Sequence, residues 1–544
     1  MEGCRAVSFL VLLLPLAGAT PAVAHAADRY VAAGGDDGGP GTSERPWRTL
    51  ARATRDPLAP GDRILLRGGD VFDGPLVLDA RGPDGGAPVM VGSWGEGRAS
   101  VRGGRGDAIA VRNRGHVVVE DLVLVGDGPL VNDGRGVHVR NDLVPPRRLA
   151  GVVVRRVEAS GFRWAGIYVG GVPTDLPGVR NDAGARLGFE RVTVEGCATH
   201  GNGYYGIHVS GPWVESSTDY ANADVTVRGN RSWDNGGDPA YFENHSGSGI
   251  MVDDTDGAVV EGNAAWNNGF LSPSRTGGPC GIWTHASRRV VIRDNESWGN
   301  RSAGVADGCG FDLDGGVSES VVERNYSHDN DGAGFLVWSW NGAPHRLRGN
   351  VLRDNVSVDD ARKHDYGAIH VGADGKAVQD VDIYHNTVIV GETKAKNARA
   401  IWIGMNPSER VRVANNVFLV AKGVKHVELG PGLVGVSFAG NVYGSTDGGF
   451  RVEDAKRSFA SLAQWREAAG QERLDARDTG LFADPLVVPP PGRLPDPPRG
   501  PERWRGHFAE ASPVRGAAVR LRRLGIVAPN SSPDAGAAGA DDRR

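Results

Sequence analysis

Between residue 63 and about residue 442 the chain alternates apolar and polar positions in runs too short for helices. Val225-Thr-Val227, Val290-Val-Ile292, Val381-Asp-Ile383 and Val411-Arg-Val413 are β-branched runs, each soon followed by an Asn. After a turn comes a second run, as in Gly249-Ile-Met-Val252, Gly281-Ile-Trp-Thr284 and Gly310-Phe-Asp-Leu313. Period-two alternation without a helix-length apolar stripe predicts short, half-buried strands.

The strands recur with the motif Asn-x-(Ser/Ala)-x-x-Asn. It reads Asn230-Arg-Ser232-Trp-Asp-Asn235, Asn263-Ala-Ala265-Trp-Asn-Asn268, Asn295-Glu-Ser297-Trp-Gly-Asn300 and Asn325-Tyr-Ser327-His-Asp-Asn330, then continues at Asn350, Asn386, Asn416 and Asn441. The intervals between first Asn residues are 33, 32, 30, 25, 36, 30 and 25. Units of this size cannot bury their own apolar faces and must stack on their neighbours, which makes the chain a solenoid. An Asn at one place in each winding can hydrogen-bond to the equivalent amide ~4.8 Å away, and tolerates the left-handed turn expected there. These features predict a parallel β-helix. Trp233, Trp266, Trp298 and His328 share one motif position and form a stabilising aromatic ladder, with sugar binding as the lesser alternative.

Two further stretches, Tyr30-Val-Ala-Ala-Gly-Gly-Asp-Asp37 with Pro46-Trp-Arg-Thr-Leu50, and Leu481-Phe-Ala-Asp-Pro485 with Ala511-Ser-Pro-Val-Arg-Gly516, flank the repeats. Together with the repeats they resemble the right-handed parallel β-helix, or pectin-lyase-like, superfamily of secreted polysaccharide-active proteins over roughly residues 28–540. The resemblance implies an all-β fold, a single-stranded right-handed parallel β-helix with N-terminal and C-terminal caps. That superfamily includes lyases, hydrolases and non-catalytic surface proteins, so fold does not choose the reaction. The Asn-Thr-Asp, Gly-His-Gly and Arg-Ile-Lys elements of polygalacturonases are absent. Ile282-Trp-Thr-His285 only faintly echoes the Trp-Ile-Asp-His element of pectate lyases.

The expected organisation is a signal peptide at 1–26, an N-terminal cap at 27–62, the β-helix at 63–445, a closing segment at 446–528 and a disordered tail at 529–544. Arg5, the run Phe9-Leu-Val-Leu-Leu-Leu14 and the ending Ala24-His-Ala26 carry the leader expectation, and with it secretion. Helices are expected after Pro46 and around Phe459–Trp465. Polar insertions at about 127–147, 171–187, 211–222, 236–248 and 271–279 are the places to look for binding groups. A net charge of −5 leaves no basic footprint for nucleic acid, and no later segment is long and apolar enough to span a membrane. A monomer is expected.

Aligning windings on Ile167, Ile207, Ile250, Ile282, Phe311, Phe335, Ile369 and Ile401 sends the next residue of each to the outer face. That column is Tyr168, His208, Met251, Trp283, Asp312, Leu336, His370 and Trp402. Two residues on, a second column contains Ser210, Asp253, His285, Asp314 and Trp338. Rings and carboxylates on one face suit a polysaccharide or oligosaccharide. Trp283, Trp338, Trp402, His208 and Tyr168 are the expected substrate-binding residues, and Asp312, Asp314, His285, Asp253 and His370 the expected catalytic ones. Asp312 and Asp314 lie ~6.6 Å apart along one strand, close enough for repulsion to keep one protonated as a general acid. Asp253, Asp254 and Asp256 form a turn by default and a Ca²⁺ site by hypothesis; no other cofactor is implied. Cys280 and Cys309 occupy equivalent places, either bridged or as buried thiols. The favoured function is a polysaccharide-degrading glycosidase, with a uronate-acting lyase or a non-catalytic carbohydrate-binding β-helix as alternatives.

Overall fold

The computed structural model describes residues 26–79, 86–143, 145–171, 187–212, 219–404, 408–488, 508–528 and 534–537. The leader expected at 1–26, apart from Ala26, and most of the tail expected at 529–544 lie outside these residues. Among the described residues three sheets of fourteen strands each run side by side, parallel throughout except for the last pair of one, Val452–Glu453 with Ser458–Phe459. Each winding visits the first, second and third sheet in turn, as in Thr255–Glu261, Ala264–Trp266 and Cys280–His285. The apolar runs mark only two of the three strands; the other is the middle of the Asn motif itself, as in Arg231–Trp233 and Glu296–Trp298. The sheets start before residue 63, because Asp28–Val31 pairs in parallel with Arg63–Arg67.

The Asn repeat is two ladders, one at each side of the second sheet. Asn230 Nδ2 donates to Asn263 Oδ1 at 3.0 Å, Asn263 to Asn295 at 2.9 Å and Asn295 to Asn325 at 3.0 Å. Asn325 then donates to Asn355, not to Asn350, and Asn355 to Asn386. Asn350 instead accepts from the Ser320 backbone. With Asn355 in place the irregular intervals of 25 and 36 become 30 and 31. The second ladder runs Asn202, Asn235, Asn268, Asn300, Asn330 and ends on Asp360, whose carboxyl burial pushes up to about 6.

The left-handed residue is not the ladder Asn but the one before it. Gly262, Asp294 and Arg324 have φ of 63°, 54° and 52°, which turns the chain so that the following amide points along the axis. Inside the tube one apolar cluster extends from Val31 to Trp465 and includes the stacked pair Phe311 and Phe335. Helices occupy Leu50–Arg55, N-capped by Thr49, and Leu462–Ala469, N-capped by Ser461 and ended by Gly470 at φ 67°. Trp465 packs its ring on Phe438 and Tyr443.

Outside the second sheet His200, Trp233, Trp266, Trp298 and His328 stack with centroids 4.4–5.7 Å apart and planes within 15°. Each inner ring gives both faces to its neighbours, so little face remains for a sugar. Trp266→Ala is expected to cost about 1–3 kcal/mol in denaturant unfolding, from two lost ring pairs, and to leave glycan turnover unchanged.

Candidate functional site

The predicted columns form on the third sheet. Tyr168, His208, Met251, Trp283, Asp312, Leu336, His370 and Trp402 are successive register partners. They do not face open solvent, however: all eight are buried. Long loops fold back over the sheet and close above them, a feature that strand alternation cannot report. Tyr204 and Tyr241 belong to this cover, with their rings 5.3 Å apart and Arg163 bonding Asp238 at 2.8 Å. On the opposite side the Tyr220 ring meets His345 at 5.0 Å and the Arg288 guanidinium at 5.2 Å. Between these walls His285, Asp314 and Trp338 remain half-buried.

Asp253 is the best-held charge on this floor. Its carboxylate lies 3.2 Å from His208 Nε2, 3.2 Å from His285 Nε2 and 3.2 Å from both the Ser210 hydroxyl and the Gly211 N–H. Burial works against ionisation, but the bonds from His208 and His285 outweigh it and hold the carboxyl below the ordinary carboxylate range. Burial would also discharge His285, yet the bond to Asp253 prevails and raises the imidazole above its usual value. His245, from the 236–248 insertion, stands edge-on to the Trp283 ring at 4.8 Å. Burial, with His285 and His208 nearby, lowers it to about 3, so this ring is neutral.

Asp312 and Asp314 both resist ionisation. Burial first, then the charge of Asp314 and the Cys280 thiol, lift Asp312 well above the carboxylate range. Burial raises Asp314 to about 7, with His285 and the Gly315 N–H pulling the other way. Burial, more than the mutual repulsion expected from the spacing, is the larger cause of both shifts. Asp314, the half-buried one, is the group that titrates near pH 7. Among the described residues, His208 Nδ1, His245 Nδ1, Trp283 Nε1, Asp312 Oδ1 and Asp314 Oδ1 at the cleft have no hydrogen-bond partner. Buried polar atoms are rarely left unpaired, and such a group on neighbouring windings suits a hydroxyl-rich ligand.

Other expected site residues are placed elsewhere. His370 lies two windings past Asp312, with Tyr366, Trp338 and Trp402 against its ring, away from Asp253 and Asp314. Tyr168 is enclosed, its hydroxyl donating to Gly171 O at 3.0 Å. His208 positions Asp253. Trp402 lies against His370 at 4.1 Å and the Arg399 guanidinium at 3.9 Å, and is buried. Trp338, its ring close over Gly372, keeps partial exposure and remains the available sugar platform.

The calcium expectation is corrected. Asp253 serves the two histidines, Asp254 accepts from the Ala221 N–H, and Asp256 pairs with Arg288 and Arg289 at 2.7 and 2.6 Å. Neighbours in sequence, they have separate partners, and among the described residues no group of three or more His, Cys, Asp or Glu is gathered to hold a metal ion. Cys280 and Cys309 are register partners as expected, but both are free, buried thiols and no bridge joins them. His245, Asp307 and Tyr366 were not singled out from sequence, and Ser210 appeared there only as a member of the second column. Asp307 accepts from the Tyr366 hydroxyl at 2.6 Å and the Gly278 N–H at 2.6 Å beside this floor.

Residues 178–342 and, overlapping them, 275–388 match the family described as "Right handed beta helix region". Comparison with curated protein sequences gives no match. Among solved structures the lacto-N-biosidase of Eubacterium ramulus, as its selenomethionine derivative, aligns with TM-score 0.52 and 18% identity over 76% of this chain and 67% of that one. Its native crystal structure aligns with TM-score 0.47 and 19% identity over 66% of this chain, which spans 64% of the enzyme's length. A pectate lyase aligns with TM-score 0.41 and 16% identity over 94% of this chain and 96% of its own. At these identities the likeness concerns the fold.

Proposed function

We propose that this chain, a right-handed parallel β-helix protein of the pectin-lyase-like kind, is a carbohydrate-active enzyme that hydrolyses glycosidic bonds in the cleft around Asp314. The observation that carries the reading is His285 standing on the winding between two carboxyls, bonded at 3.2 Å to buried Asp253 on one side and next to half-buried Asp314, raised to about 7, on the other. Asp314 protonates the departing glycosidic oxygen, the task for which a pKa near the working pH is best suited. Asp253 supplies the lasting negative charge that favours the cationic, oxocarbenium-like transition state, with His285 and His208 fixing its position. Asp312, kept neutral, offers a hydroxyl donor to the sugar, and Trp338 offers an apolar face. The hydrolases and lyases among the structural neighbours agree with this reading at the level of fold. It includes export, on the strength of the leader-like sequence at 1–26.

The test is incubation with a panel of plant, algal and bacterial glycans, following reducing ends and the absorbance of unsaturated uronates. New reducing ends without that absorbance are expected. Reducing ends with it would mean elimination, and glycan binding with neither would make the cleft a carbohydrate-binding surface.

A further inference from the structure

We infer that the cleft accepts uncharged glycan chains and rejects those carrying carboxylates or sulfates. The inference rests on the reading of this cleft as a glycan site and adds the substrate class to it. It starts from the charges that face the strands. Asp253 is a standing anion, Asp314 becomes a second one as pH rises, and Asp374 is exposed two windings past Asp314. A cavity continues from there, lined by Asp374, Trp402, Glu428, Glu453 and Asp454. An anionic sugar entering this path would meet carboxylates at both ends.

Among the described residues most cations alongside are paired with other carboxylates, while Lys376, whose charge reaches the wall residue His345, donates to Ala343 O. Arg288 bonds Asp256 at 2.7 Å, and Lys363 sits 3.8 Å from Asp331. Arg399 is buried between the Trp402 ring and Asp365, which it bonds at 2.7 Å. Lys425 bridges Glu428 at 2.9 Å and Glu453 at 2.5 Å. Among the described residues the cation on the floor itself is His285, which is held by Asp253. A sugar carboxylate or sulfate would therefore be stripped of water without a counter-charge, whereas acid-sugar chemistry calls for a cation to neutralise it.

The groups left without partners have the opposite character. Trp283 Nε1, His245 Nδ1 and the Asp312 carboxyl are neutral donors or acceptors, the complement of hydroxyl and acetamido groups. Their burial makes neutral hydrogen bonding effective, and the same burial penalises a charge.

The experiment uses the full chain and isothermal calorimetry. A panel of neutral oligosaccharides and of uronate oligosaccharides is screened first. The tightest neutral ligand is then compared with the same molecule after oxidation of its primary hydroxyls to carboxylates. The oxidised form is expected to bind on the order of tenfold more weakly or worse at low salt, with the gap narrowing at high salt as the repulsion is screened. Equal or tighter binding of the oxidised form, or a gap insensitive to salt, overturns the inference. Hydrolysis of a polyuronate overturns it while leaving the hydrolase reading intact. Unsaturated uronate products, or no glycan bound at all, overturn both.

Discussion

Asp314→Asn will lower glycan turnover by about 10²–10⁴-fold, the usual worth of a positioned proton donor, while leaving the fold intact. The pH profile gives the sharper check. A general acid works in its protonated form, so wild-type kcat/KM should fall as pH rises through about 7, where Asp314 titrates. The residual activity of Asp314→Asn should lose that limb. Asp312→Asn is expected to act differently, because burial already keeps Asp312 uncharged and a carboxamide is a near match for a neutral carboxyl. Its loss should stay near tenfold and the alkaline limb should remain. An Asp312→Asn loss as deep as that of Asp314→Asn would move the proton-transfer role to the deeper carboxyl.

Stability gives an independent reading of the same group. Asp314 binds its proton more tightly in the folded chain than in the unfolded one, where the ordinary carboxyl pKa is about 3.9. Its favourable contribution is complete below that value and is lost as pH climbs to about 7. Asp314→Asn should therefore unfold at higher denaturant at pH 8, by about 1–2 kcal/mol after allowance for partial exposure, and match wild type at pH 3. Asp253 runs the other way. Its folded pKa is depressed, so its contribution persists above about pH 4 and disappears only in strong acid.

Much of the architecture was legible because an Asn column and a Trp column each repeat a contact at fixed geometry. The register of the third sheet, from Tyr168 to Trp402, was legible for the same reason: alternation fixes which residues stack. What alternation does not fix is what covers them. Residues 236–248 interrupt the strands and bring His245 onto Trp283, and Tyr366 reaches back across 59 positions to Asp307. Nothing periodic encodes either contact. The calcium expectation for Asp253, Asp254 and Asp256 failed on similar ground. Adjacent carboxylates at a corner diverge, and each finds its own donor before a shared cation could. The misplaced ladder residue, Asn350 for Asn355, came from matching Asn identity: both follow a left-handed residue, Gly349 at φ 69° and Asp354 at φ 55°, but only Asn355 opens a strand of the second sheet, Val356–Val358.

Asn263→Ala is expected to be the most damaging single truncation of a polar side chain in the solenoid. The Asn263 carbonyl oxygen accepts the Asn230 N–H at 2.9 Å and the Asn230 amide at 3.0 Å, and its own amide donates to Val227 O and Asn295 Oδ1, both at 2.9 Å. All of this is buried. Alanine removes the acceptor for two donors and a donor from two acceptors. At about 1–3 kcal/mol for each of the four groups left unsatisfied, the loss should total about 4 kcal/mol or more. A solenoid winding contacts only its neighbours, so the loss should appear first as local opening. Native-state hydrogen exchange should show protection falling in residues 225–300 while the windings beyond residue 380 stay protected. The same winding carries Trp283 and His285, so turnover should fall along with protection, although Asn263 is on the far side of the tube wall from the cleft. A stability change within ~0.5 kcal/mol would show that the backbone pairing between strands, and not the amide ladder, holds successive windings in register.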